Sequence, residues 1–314
     1  MIAGYRWRPF RLALRLLFVA LALSGCHASK RPQANSPTAD GGATVAVWAT
    51  WPMPNSTPGL PHPQSFDTGR ADVAVDRITG LMWQRTVTAK PTSFDGAKQD
   101  CDQLALAGYD DWRLPSRIEL VSLLNVGRIQ PAIDPVVFPG TPNDWFWTSS
   151  VAAGDVRAAW YVYFYFGYPK TDVMVNQFSW RCVRTATAHA TPSSHYDIQS
   201  DTVRDLGTGL VWQRSAPDRT FTFDDARAYC DQLSLAGQPG WRVPSLTELL
   251  TLIDERATTA PMIDATAFPH TPSEAFWTSS EFGGVSGMAW QVYFDHGNGL
   301  YGLASAQFRA RCVR

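Results

Sequence analysis

The sequence predicts an α+β protein built from two tandem copies of one domain. Three observations carry this. Long motifs recur in the same order, each recurring unit mixes helix-period segments with aromatic strand-like runs, and cysteines fall in matched pairs. "DRITGLMWQR" at 76–85 returns as "DLGTGLVWQR" at 205–214, an offset of 129 residues. Cys101 and the pair Trp112-Arg113 return as Cys230 and Trp241-Arg242 at that same offset. "FWTSS" at 146–150 returns at 276–280, so one residue is inserted between, and "RCVR" closes each copy at 181–184 and 311–314. The period is far too long for a solenoid and marks whole globular domains.

Within a copy, "GLMWQR" follows a Thr-Gly turn and reads as a strand. A first helix follows, capped by Ser93 or Thr222, with Ala97, Cys101 and Leu104 (Ala226, Cys230 and Leu233) at three- and four-residue steps. Gly108 and Gly237 are expected to stop it. The motif "DWRLPSRIEL" (111–120), repeated as "GWRVPSLTEL" (240–249), leads into a second amphipathic helix and then a loop rich in Pro, Asp and Phe. Aromatic strands finish each copy. The expected boundaries are 66–184 and 196–314, joined by a short polar linker at 185–195.

The N-terminus reads as a targeting segment. Four arginines precede the apolar run at 16–23, which is shorter than the roughly 20 residues a spanning helix needs. It ends in "LSGC", similar to a bacterial lipobox, which implies removal of residues 1–25 and lipidation of Cys26. His27, where an Asp would signal inner-membrane retention, favours the outer membrane of the bacterial envelope. Loss of the leader takes the net charge from −1 to about −5. Residues 26–65 are rich in Pro, Ser, Thr and Gly and read as a flexible tether, interrupted by Trp48 and Trp51, which could dock on an unassigned neighbour.

Composition excludes some function classes. The chain has no basic block, so nucleic acid is not an expected partner. No histidine recurs at a matched position, so zinc is not expected. "TSS" at 148–150 and 278–280 lacks an adjacent histidine base, which argues against a serine hydrolase. Setting Cys26 aside leaves two cysteines per copy, on the first helix and the last strand. In an exported protein that predicts Cys101–Cys182 and Cys230–Cys312. Each would close a loop of about 80 residues and contribute on the order of 4 kcal/mol.

The repeated Trp-Arg-x-Pro-Ser-x-x-Glu motif has a structural reading. Ser116 with Glu119, and Ser245 with Glu248, fit a capping box at the start of the second helix. Trp112 and Trp241 read as core anchors. Arg113 and Arg242 are expected to reach an internal acceptor, with Asp76 and Asp205 as candidates. No nucleophile–base pair adjoins the motif.

These ordered motifs resemble the C-terminal domain family of the Legionella collagen-like adhesin, over both copies. The resemblance implies an exported bacterial protein in a family whose namesake binds sulfated glycosaminoglycans. It also implies two tandem C-type-lectin-like domains, each with two helices and a mostly antiparallel sheet. The "RLP…E" stretch is similar to formylglycine-generating enzymes as well, but the active cysteine pair of those enzymes is absent because all four domain cysteines fit structural bridges. Glu-Pro-Asn, Gln-Pro-Asp and "WND" calcium-ligand motifs are also missing. No cofactor is therefore expected, though a calcium site built from scattered carboxylates stays open.

Residues shared by the copies most simply serve the scaffold; Trp83, Trp112, Trp147, Trp160 and their counterparts account for eight of 13 tryptophans. Candidate ligand contacts lie where the copies differ. They are Trp145 and Trp180 (opposite Ala275 and Ala310), Tyr165 and Tyr168, and Asp295, His296 and Asn298 in the "DHGNG" turn of the second copy. The expected function is a non-catalytic binding or adhesion module at the cell envelope, lipid-anchored, for a glycan or an envelope protein. The alternatives are a formylglycine-generating-type oxidoreductase relative and a purely structural envelope protein.

Overall fold

The computed structural model describes residues 47–87, 90–283 and 285–314. The expected signal peptide and lipidated Cys26 lie outside the described residues. The first copy runs β1 (Phe66–Asp67), β2 (Val73–Asp76), β3 (Leu81–Gln84), α1 (Phe94–Asp102), α2 (Arg117–Val121), β4 (Trp145–Val151), β5 (Ala158–Tyr163), β6 (Tyr168–Val173) and β7 (Val183–Thr185). The second runs β8 (Tyr196–Ile198), β9 (Thr202–Asp205), β10 (Val211–Gln213), α3 (Phe223–Asp231), α4 (Leu246–Leu249), a 3-10 turn (Leu250–Leu252), β11 (Ala275–Glu281), β12 (Met288–Tyr293) and β13 (Gly299–Leu303). Each copy holds two small antiparallel sheets. In the first their orders are β1-β2-β3-β7 and β4-β5-β6; in the second they are β10-β9-β8 and β11-β12-β13. Disulfides join Cys101 to Cys182 and Cys230 to Cys312, one per copy, as the cysteine count predicts.

Local chemistry explains the elements. Ser93 and Thr222 cap α1 and α3 by accepting from the amides of Gly96 and Asp225. These helices end at Asp102 and Asp231, earlier than the glycines expected to stop them. Instead, Ala107-Gly108 and Ala236-Gly237 all have positive φ and form two-residue turns closing the bridges Leu106–Tyr109 and Leu235–Gln238. The second helix is not amphipathic: every residue of α2 and α4 is buried. The "TSS" hydroxyls are structural. Thr148 and Thr278 donate to the carbonyls of Trp160 and Trp290 where β4 and β11 shift register. Ser150 and Ser280 accept from the first amides of α2 and α4.

The two copies are not beads on a string. One hydrophobic core draws on both, joining Ile118, Leu124 and Phe164 to Leu246, Leu252 and Phe294. Each copy keeps a satellite core around its disulfide, with Trp112 and Trp147 in the first and Trp241 and Trp277 in the second. The arginines of "RCVR", Arg181 and Arg311, are fully buried without a carboxylate. Each donates to two backbone carbonyls and a threonine hydroxyl and lies over Phe138 or Phe268. Burial pulls both down to about 9.

The tether expected over 26–65 is corrected for its described part. Ala49, Trp51, Met53 and Asn55 set every second side chain into the core, each less than 5 % exposed. Polar bonds fix this arm to both copies. Asn55 donates to Glu248 at 3.1 Å, and Thr247 donates to the Pro54 carbonyl. Gln64 donates to the carbonyls of Ser122 and Leu124. Trp48 packs at a tilt on His195, and the Arg256 guanidinium lies over its ring. The arm's apolar residues are few but correctly spaced, and their burial outweighs the Pro/Ser-rich composition around them.

Candidate functional site

The repeated motif is joinery, with a different partner from the one the sequence suggested. Arg113 makes a two-pronged ion pair with Glu119, Nη1 to Oε2 at 2.7 Å and Nη2 to Oε1 at 2.6 Å. Arg242 pairs with Glu248 through two bonds of 2.7 Å. The same glutamates complete the capping boxes by accepting from the amides of Ser116 and Ser245. Burial alone would lower the Arg113 pKa, but the Glu119 carboxylate lifts it above its ordinary value. Asp76 and Asp205 do not receive these arginines. Each accepts from two amides of its own turn, at residues 78–79 and 207–208. The Arg113 and Arg242 backbones also pair with Val183 and Val313, so the motif ties each second helix to the C-terminal segment of its copy.

The candidate contacts separate into three places. Trp145 and Tyr165 belong to an aromatic ladder on the β4-β5-β6 sheet. Trp145 faces its register partner Tyr163 at 5.0 Å and 16°, and Tyr163 faces Tyr165 at 5.7 Å and 21°. Trp145 is 39 % exposed, whereas the eight tryptophans shared by the copies are buried. Phe178 packs under Trp145, and Gln130 donates to the Tyr165 hydroxyl. Burial, with Tyr165 and Asp144 nearby, raises the Tyr163 pKa. At the matching positions the second copy has Ala275, Tyr293 and Asp295, and no ladder.

Trp180 is not part of this surface. It is 6 % exposed within the first satellite core, where its ring fills space that Ala310 leaves to other residues in the second copy. Tyr168 packs edge-on against its register partner Tyr163 and reaches from the ladder to the seam between copies, against Trp290. Asp295 and His296 pair with each other and line a cleft between the copies, while Asn298 is buried nearby. Tyr163 escaped the sequence reading because it recurs as Tyr293. The alternation of Tyr161, Tyr163 and Tyr165 was the signal that could have placed it beside Tyr165.

Among the described residues, no three His, Cys, Asp or Glu side chains gather as metal ligands, and all four domain cysteines are engaged in disulfides. No described helix is long and apolar enough to cross a membrane. Fold and site define the class as a tandem, disulfide-stapled α+β protein in which most of the conspicuous polar motifs serve the scaffold. Both copies match the family model of the Lcl C-terminal domain, over residues 72–184 and 201–314, and the chain belongs to that family. β1 and β8 precede the matched ranges but pair into the same sheets as β2 and β9. The family is adhesin-associated and is not a known enzyme family. No curated protein matches the chain.

Proposed function

We propose that this protein is a non-catalytic adhesion module of the bacterial cell envelope, held by a lipid on Cys26 after removal of residues 1–25, and that it binds a glycan through the Trp145–Tyr163–Tyr165 ladder. Membership of an adhesin-associated family supports the class. The observation that carries the ligand reading is the near-parallel, partly exposed ladder present in one copy only. Aromatic rings offer apolar surface to the C–H faces of sugars, and the two phenols add hydrogen bonds at the edges. The ladder itself contributes no charge, and the mature chain is acidic, so a neutral oligosaccharide fits better than a sulfated one. A first-helix cysteine bonded to a cysteine near the C-terminal end of its copy also supports a C-type-lectin-like architecture for each copy.

A glycan array probed with the whole chain tests this, in parallel with Trp145→Ala and Tyr165→Ala. The expected result is binding to a neutral glycan class that both substitutions abolish with the melting temperature close to wild type. Binding that survives both substitutions would remove the ladder from the site. For the anchor, mass spectrometry of the mature N-terminus should find diacylglyceryl on Cys26, and Cys26→Ser should release the protein from membranes.

A further inference from the structure

The seam between the copies is built from equivalent residues on its two sides, but the sides are filled differently. On one side Phe166 and Tyr168 of the first copy meet Phe282, Trp290 and Tyr301 of the second. Phe282 and Tyr301 stack there at 3.8 Å and 14°. The loops also close tightly on this side: a Cβ on Gly283 would stand 2.6 Å from the Arg128 amide nitrogen. Exchanging the copies converts this cluster into His296 and Asn298 meeting Ala152, Trp160 and Thr171. Those smaller, more polar residues leave a cleft of about 430 Å³, and Ala153, the counterpart of Gly283, lines it.

The lining of that cleft has a definite chemistry. Ala158, Trp160, Val173 and Met262 supply apolar wall. Three carboxylates, Asp155, Asp172 and Asp295, line it, and no lysine or arginine does. Asp155 is engaged by Arg157 and Asp295 by His296, which leaves Asp172 with only the Val173 amide on its side chain. Trp160, 1 % exposed, has no acceptor for its indole N–H, whereas its counterpart Trp290 donates to the Val126 carbonyl. A buried donor left without an acceptor is unfavourable. The packing satisfied on the closed side is therefore incomplete on the open one.

We infer that the open side of the seam is a second binding site, for a primary alkylammonium group: a cation small enough for the cleft, with an apolar stem for its walls and a charge for Asp172 and Asp295. Three carboxylates against one histidine, with no lysine or arginine, select against the carboxylates and sulfates of acidic glycans, so this site and the ladder recognise different chemistry. Its test uses no ladder residue.

The experiment titrates the whole chain at neutral pH with butylammonium, standing for a free amine, and with Nα-acetyl-lysine amide, standing for a protein side chain. Amide chemical shifts report binding. Saturable shifts at 152–158, 171–173 and 257–262 with either probe are expected, and the tighter probe gives the source. Neutral 1-butanol should bind at least about tenfold more weakly, as should butylammonium to D172N/D295N, the factor that about 1.4 kcal/mol produces. T171Y/H296F, which installs the closed side's own residues, should abolish binding. No saturable shift with either amine overturns the proposal, and so does butanol binding as well as butylammonium. Undiminished binding by D172N/D295N overturns it independently of how the plugged variant folds.

Discussion

Arg117 of the first copy and Glu255 of the second form an ion pair across the seam, Nε to Oε2 at 3.0 Å, with side chains only 1 % and 7 % exposed. Ser150 donates to the other Glu255 oxygen, and the guanidinium also reaches the carbonyls of Leu250 and Ile253 while lying over Trp160. The counterparts of Arg117 and Glu255 are Leu246 and Val126, so the repeat itself supplies an apolar replacement. Arg117→Leu or Glu255→Val alone should cost about 3–5 kcal/mol by stranding a buried charge. The double variant R117L/E255V should recover most of that loss. Denaturant melts of the three variants check this; a double variant as unstable as the sum of the singles would contradict it.

The capping boxes and their arginines act as one unit. Ser116→Ala should cost about 1 kcal/mol. Glu119→Gln, which loses the charge that binds Arg113, should cost about 1.5–3 kcal/mol. Because Glu119 serves both partners, the two losses should be non-additive in a double-mutant cycle. Strict additivity would separate the cap from the ion pair.

Acid sensitivity follows from Glu248. Burial pushes its pKa up, but the Arg242 guanidinium, the Ser245 amide and Asn55 together hold it below its ordinary value of 4.5. The unfolded chain therefore takes up this proton first as pH falls. Stability from the carboxylate is complete above about pH 4.5 and is lost as pH drops through the folded pKa. Melting temperatures of E248Q between pH 7 and 3 should fall less steeply than those of the wild type. Parallel curves would show that Glu248 does not set the acid limb.

The arm is part of the fold. Trp51 is 4 % exposed in the shared core, and Trp51→Ala should cost about 3–5 kcal/mol. Asn55→Ala should cost less, about 1.5–3 kcal/mol, by removing a bond to the Glu248 carboxylate. Melts with little change in either variant would return the arm to the status of a tether.

What the sequence disclosed was local or repeated. The helix caps, the cysteine pairing and the eight core tryptophans each need only a few residues to be recognised, and the second copy checks the first. Side-chain partnerships were hidden, near as well as far. Arg113 was matched with Asp76 although its partner, Glu119, stands six residues away, because the capping role of Glu119 masked its second one. The arm was read by its Pro/Ser content, while its burial depends on four alternating side chains and on a groove that exists only once both copies have packed. The ladder was half legible. Trp145 and Tyr165 stood out as differences between copies, but Tyr163 between them did not, and Trp180 differed for reasons of packing alone. The seam was not legible at all, since its closed and open sides appear only when equivalent residues are seen facing each other.

The binding surface should be the Trp145–Tyr163–Tyr165 ladder, which only the first copy carries. The most direct measurement converts the ladder to the second copy's composition with W145A/Y165D, and compares its affinity with wild type for the strongest glycan on the array. Binding should be lost while the melting temperature stays close to wild type. Unchanged affinity in a folded W145A/Y165D protein would contradict it.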